Sequence, residues 1–113
     1  MKSDLVIDNS ALIEFFTAVR PDRALRQRIL TSTPIAPELL DAEALVEILS
    51  APILRTGHRP LAGRAWQLRH AITAYDALYV ALAERLDIPL VTCDAKLARS
   101  NGHNAKIELY PAQ

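Results

Sequence analysis

Two aspartates in this chain sit alike. Asp8 follows the apolar run Leu5-Val6-Ile7, and Asp94 closes Pro89-Leu-Val-Thr-Cys; each precedes residues with helical character. Short apolar runs of this kind read as buried strands. In an open α/β sheet, ligands bind in the crevice outside the carboxyl ends of the strands, so aspartates ending neighbouring strands would share one crevice. Glu43 lies near the start of a helix that follows a third strand candidate. Asp76 lies one turn into ITAYDALYVALAE (72–84), a segment apolar nearly all round. A carboxylate there is costly unless paired, hydrogen-bonded or bound to metal. Four carboxylates in one crevice raise one another's pKa values, and a hard divalent cation reverses that by holding them ionised. Mg²⁺ or Mn²⁺ suits such oxygen ligands. The usual work of that arrangement is to activate water and stabilise charge at a phosphodiester.

Each residue also has a plainer role. Asp94 suits a helix N-cap. Asp76 suits the N3 position of a helix capped by Thr73, where the helix dipole favours it. Asp8 could begin a turn. Glu43 stands among Glu38, Asp41 and Glu47, and most such charges are solvated. Spacing alone leaves both readings open.

The elements that must position these groups alternate. A strand over 5–7 leads into a helix with Asn9 or Ser10 as N-cap. Asp22 caps a helix over 23–31. Pro34-Ile35-Ala36 is a minimal strand, and Pro37 opens a helix running to Leu49. Ile53-Leu54 is ambiguous. Helices follow over 60–70 and 73–86, then a strand over 89–94, a short helix over 95–99 and a last strand over 105–110. Alternating strands and helices imply a mostly parallel sheet with helices on both faces.

The totals narrow the function classes. A chain of 113 residues suggests one domain, and thirteen basic against thirteen acidic side chains give no sign of an extended basic surface. One cysteine, Cys93, forms no internal disulfide, which fits a reducing cytoplasm. The opening residues hold no long apolar run, so neither a signal peptide nor a membrane span is expected. His58, His70 and His103 are expected at the surface or in loops, Cys93 in the core, and Tyr75 and Tyr79 as packing residues. Arg64, Arg69 and Lys96 read as solvated charges that could also contact phosphate.

The stretches VIDNSALIEFF, APELLDAE, ITAYDALYVALAE and PLVTCDAKLA, in this order, resemble the PIN-domain proteins. More narrowly they resemble the VapC-type ribonuclease toxins of bacterial toxin–antitoxin pairs, over residues 4 to about 109. The resemblance implies a Rossmann-like three-layer α/β/α sandwich and metal-dependent cleavage of RNA. It assigns Asp8, Glu43, Asp76 and Asp94 to the catalytic, Mg²⁺- or Mn²⁺-binding set, with Ser10 and Thr92 orienting a carboxylate or water. It also implies a cognate antitoxin as partner, a homodimer and a cytoplasmic location. In one respect the chain departs from the family. A helical hairpin normally follows the APELLD helix, whereas here the single domain, 1–113, is shortened between about 43 and 60. Two rivals follow. One is a weak or inactive PIN domain that only binds its antitoxin. The other is a receiver-like signalling domain, disfavoured because PLVTCD ends in Asp94, with Lys96 already inside the next helix.

Overall fold

The computed structural model describes residues 3–18, 22–38, 40 and 53–111. Strand β1 (Ser3–Ile7) leads into helices α1 (Asn9–Thr17) and α2 (Arg23–Leu30), then strand β2 (Ser32–Pro37). Strand β3 (Leu54–Thr56) follows, then α3 (Arg59–Gln67), α4 (Ala74–Leu86), β4 (Leu90–Thr92), α5 (Ala95–Ala98) and β5 (Ile107–Leu109). The five strands form one sheet in the order β3-β2-β1-β4-β5, and every pairing is parallel.

That order reverses direction at β1. From β1 the chain crosses to β2 through α1 and α2. From β3 it returns over β2 and β1 to β4 through α3 and α4. Parallel crossovers are right-handed, so two passes in opposite directions set their helices on opposite faces, giving three layers. The reversal leaves a crevice beyond the ends of β1 and β4, where Val6 pairs with Leu90 and Ile7 with Val91.

The centre is buried on both faces. Leu5, Val6, Ile7, Leu90, Val91 and Thr92 are inaccessible, so the unbroken apolar runs are those of interior parallel strands. Helix α4 buries Ala77, Tyr79, Val80, Ala81, Leu82 and Ala83, and its C-cap Asp87 takes the left-handed conformation that Asp tolerates. Glu84 of α4 accepts Arg64 Nε at 2.7 Å, Arg64 Nη2 at 2.9 Å and the Asn104 amide at 2.7 Å, tying α3, α4 and the loop before β5 together. Across the molecule Arg28 of α2 holds Glu108 of β5 through Nη2 at 2.9 Å.

Several expectations change. The cap of α1 is Asp8, whose carboxylate accepts from the Ala11 amide; Asn9 is the first helical residue. Pro37 ends β2 rather than opening a helix, and the Glu38 amide supplies the next bond to β3. The proline has no N–H to give, which made this strand look shorter in sequence. Leu54 belongs to edge strand β3, where it is exposed, so no apolar burial marked it. Tyr79 is buried but Tyr75 is 59% exposed. The expected helix to Leu49 lies outside the described residues beyond Leu40.

Leu82→Ala empties a fully buried site in α4 and costs about 2–5 kcal/mol in urea unfolding. Leu86→Ala, at the exposed end of the same helix, costs less than about 1 kcal/mol.

Candidate functional site

Asp8 stands where β1 ends and α1 begins, and it is 4% exposed. Its Oδ1 accepts from Ser10 Oγ at 2.7 Å and from the Ala11 amide at 3.0 Å. Its Oδ2 accepts from Thr92 Oγ1, at the end of β4. Both hydroxyls also accept in turn, Ser10 Oγ from the Cys93 amide at 3.0 Å and Thr92 Oγ1 from the Asp94 amide at 3.0 Å. Ser10 and Thr92 lie 3.1 Å apart, with both hydroxyl protons already committed to Asp8. The carboxylate therefore locks the turn after β4 against the turn after β1.

Burial dominates the electrostatics of Asp8. It lifts the pKa from the ordinary 3.8 to about 6, although the Thr92, Ala11 and Ser10 bonds pull the other way and Asp76 adds repulsion. Asp76 is half-buried and also raised, chiefly by burial; Asp94 pushes it further up, while the Thr73 hydroxyl and Lys96 pull it down. Asp8, Asp76 and Asp94 thus share one field. Asp76 is the N3 residue of α4, whose cap Thr73 accepts its amide at 3.2 Å. Asp94 caps α5, accepting the Lys96 amide at 2.9 Å. Both aspartates take the plainer cap roles as well as facing the crevice.

Asp76 and Asp94 open onto a cleft of about 730 Å³ between the turn before α4 and the start of α5. Arg69, His70, Lys96 and Arg99 line the same cleft. The sequence motifs do not point to Arg99, and they leave His70 as a plain surface residue; a basic residue one turn beyond Lys96 was the available signal. Arg64 is not free for phosphate, being held by Glu84. His58 is exposed at the start of α3, and His103 bonds Ser100 Oγ at 2.9 Å. Cys93 is half-buried, and burial, with Asp8, Glu14 and Asp22 near, pushes its thiol up to about 12, so it stays neutral.

Glu43 lies outside the described residues. Among those described, no three His, Cys, Asp or Glu side chains already stand close enough to hold a metal ion together. Two features nevertheless suit a cation. A carboxylate offers about four acceptor positions, and the Ser10, Ala11 and Thr92 donors to Asp8 leave one on Oδ2. The side-chain oxygen of Asn9, the next residue in the chain, is buried and has no hydrogen-bond partner among the described residues.

The PIN domain family model matches residues 30–102. Ribonuclease VapC12 of Mycobacterium tuberculosis is 37% identical over an alignment of 126 positions, covering 93% of this chain and 98% of that protein. Since the chain has 113 residues, some positions of that relative have no counterpart here. Ribonuclease VapC1 of the same organism is 42% identical over 90 positions, covering 76% of this chain and 64% of that protein. VapC ribonuclease Mb0985 of Mycobacterium bovis is 33% identical, with 95% and 98% covered.

Between the unfolded value near 3.8 and the folded value near 6, folded Asp8 binds the proton that the unfolded chain has released. Its contribution to stability therefore falls as pH rises through that window, by about 3 kcal/mol in metal-free buffer. Asp8→Asn removes this loss. The variant unfolds at higher urea than the parent at pH 8, and the difference shrinks toward pH 4.

Proposed function

The chain belongs to the PIN-domain family, in its VapC type, and we propose that it is the toxin of a bacterial toxin–antitoxin pair that cleaves RNA phosphodiester bonds with a divalent cation. The observation that carries this reading is the Asp8 carboxylate. It is recessed at the sheet's reversal point, bonded by three donors, and repelled by Asp76 across the crevice. Asp76 disfavours charge on Asp8, and Asp94 disfavours it on Asp76, so the crevice is a poor resting state without a counter-ion and a good seat for one.

Asp8, Asp76 and Asp94 would hold Mg²⁺ or Mn²⁺, with Glu43 completing the set. As no three described side chains already stand close enough to hold an ion together, water would supply several ligands of the shell, as Mg²⁺ prefers. The ion would supply activation of a water and neutralisation of charge at the phosphorus. The chain does the rest. Ser10 and Thr92 hold the Asp8 carboxylate in one orientation. Asp94 accepts the Lys96 amide and joins the same network through its own amide's bond to Thr92. Lys96 offsets part of the negative field at Asp76, so that a phosphate can approach.

The partner of this reading is a small antitoxin that masks the carboxylates with a basic side chain; arginine suits the task because its fork pairs a carboxylate bidentately. The domain spans 1–113 with a segment shortened between about 43 and 60, a reading supported by the longer alignment to the relatives. That segment would otherwise contribute to a homodimer. No described helix is long and apolar enough to cross a membrane, and the proposed place of action is the cytoplasm. The missing length also keeps a second reading in play, a PIN domain that binds its antitoxin and cleaves weakly or not at all.

Calorimetric titration of Mn²⁺ into the parent, Asp8→Asn and Asp94→Asn separates these. Heat in the parent that vanishes in both variants, with RNA cleavage lost alongside, supports the nuclease. Equal heats in all three proteins reject these aspartates as ligands. Metal binding without cleavage of any RNA selects the antitoxin-binding reading.

A further inference from the structure

The loop from Arg99 to Lys106 joins α5 to β5. Its first residues, Arg99, Ser100 and Asn101, line the cleft that Asp76 and Asp94 open onto. The loop is held from outside by two helices. Glu84 of α4 accepts the Asn104 amide at 2.7 Å, and Arg64 of α3 reaches the Gly102 carbonyl through Nη2 at 3.4 Å. From within, His103 closes the loop on itself. Its Nε2 lies 2.9 Å from Ser100 Oγ, and its Nδ1 accepts the Ala105 amide at 3.2 Å. Gly102 makes the turn between Ser100 and the ring at φ 86°, in the left-handed region open to glycine.

These bonds fix the ring's proton. An amide N–H can only donate, so Nδ1 presents its lone pair to Ala105. The Ser100 hydroxyl spends its own proton on the Leu97 carbonyl at 2.6 Å, so Nε2 carries the hydrogen and donates to Ser100 Oγ. His103 is therefore neutral here, with its one proton on Nε2. The ring couples the two ends of the loop. Leu97 belongs to the short helix that Asp94 caps. Ala105 packs against the core, and the next carbonyl, of Lys106, accepts the Leu90 amide of β4 at 2.9 Å.

A second proton, on Nδ1, sets N–H against N–H. The Ala105 amide then loses its acceptor, while the Ser100 bond survives. The charged groups around the loop pull in different directions. The Glu84 carboxylate, held ionised by Arg64 first and by the Asn104 amide and His103 as well, favours the doubly protonated ring. Arg64 from α3, and Arg99 and Lys106 on either side of the ring in sequence, oppose it as like charges.

We propose that His103 is a positioning residue of the cleft. Its neutral, Nε2-protonated form fastens the wall that carries Arg99, Ser100 and Asn101, and its doubly protonated form releases the end of that wall at Ala105. Acid thus weakens the site through this loop as well as through the carboxylates. The inference rests on the nucleolytic reading for what the cleft does and adds how one of its walls is set.

Nuclear magnetic resonance of the full, ¹⁵N-labelled chain in metal-free buffer reads the ring directly, since only His58, His70 and His103 contribute imidazoles. At about pH 8 His103 shows its proton on Nε2, and the Ala105 amide resonance moves together with the ring as pH falls to about 5. His103→Asn keeps an acceptor at the Nδ1 position and takes no proton there, so its Ala105 amide stays in place. RNA cleavage in Mg²⁺ is followed over the same range. The carboxylates are common to both chains, so their share of the acid limb cancels in the ratio of rates. Where about nine rings in ten carry the second proton, His103→Asn gains about tenfold on the parent, relative to their ratio at about pH 8. His103→Ala, which keeps neither bond, is slower than His103→Asn throughout. A proton on Nδ1 at about pH 8, an Ala105 amide that ignores the ring, parallel acid limbs in parent and His103→Asn, or an alanine variant as fast as the asparagine one each overturns the proposal. Circular dichroism checks that the variants fold, and the parent's own resonances decide the case if they do not. Resonances as described with no RNA cleaved retire the nuclease reading and leave the fastened wall; cleavage with the other tautomer does the reverse.

Discussion

The Asp8 carboxylate joins parts of the chain that are more than eighty residues apart. Ser10 and Thr92 reach it from separate turns, and the amides of Cys93 and Asp94 hang on those same two hydroxyls. The ends of β1 and β4 are thereby locked together at the one place where the sheet reverses direction. Removing the negative charge would relieve a desolvation cost, yet it would also alter the acceptor around which both turns are arranged. A buried carboxylate kept in place by surrounding donors, its pKa raised by burial, is characteristic of sites rather than of cores.

Around that centre every acid does two things. Asp8 caps α1, Asp94 caps α5, and Asp76 occupies the first turn of α4 behind the Thr73 cap. Helix N-termini carry partial positive charge, so three helices aim that charge at the same crevice. This lowers the cost of gathering carboxylates without cancelling it, as the raised pKa values of Asp8 and Asp76 record. Cap and ligand are therefore not competing explanations. A cap is how this fold presents an acid at the end of a strand.

The basic side chains divide in the same way. Arg28 and Arg64 fasten elements, joining α2 to β5 and α3 to α4. Arg69, Lys96 and Arg99 stand around the cleft. A chain with balanced charge can thus line one cleft with both acidic and basic side chains, without the global surplus that marks many nucleic-acid binders.

Some of this was legible from residue order alone. The apolar run Leu5–Ile7, without alternation and rich in β-branched residues, read as a buried strand; Thr73 and Asp76 at three-residue spacing suited the start of α4; Asp22 and Asp94 suited helix caps. These are local signals, set by burial and by the first turn's unpaired amides. What order could not settle were features that depend on neighbours. Pro37 lies in β2 because Thr56 lies beside it, and Leu54 is a strand although exposed, because β2 supplies its partner. That Asp8 rather than Asn9 or Ser10 caps α1, that Thr92 spends its hydroxyl on Asp8, and that Arg64 is bound while Arg69 rests on Trp66 were decided by folding. The residue types and their spacing determined which groups were available for chemistry; only the parallel crossovers, bringing positions 8, 76 and 94 to the crevice beyond the ends of the central strands, decided that they act in one electrostatic field.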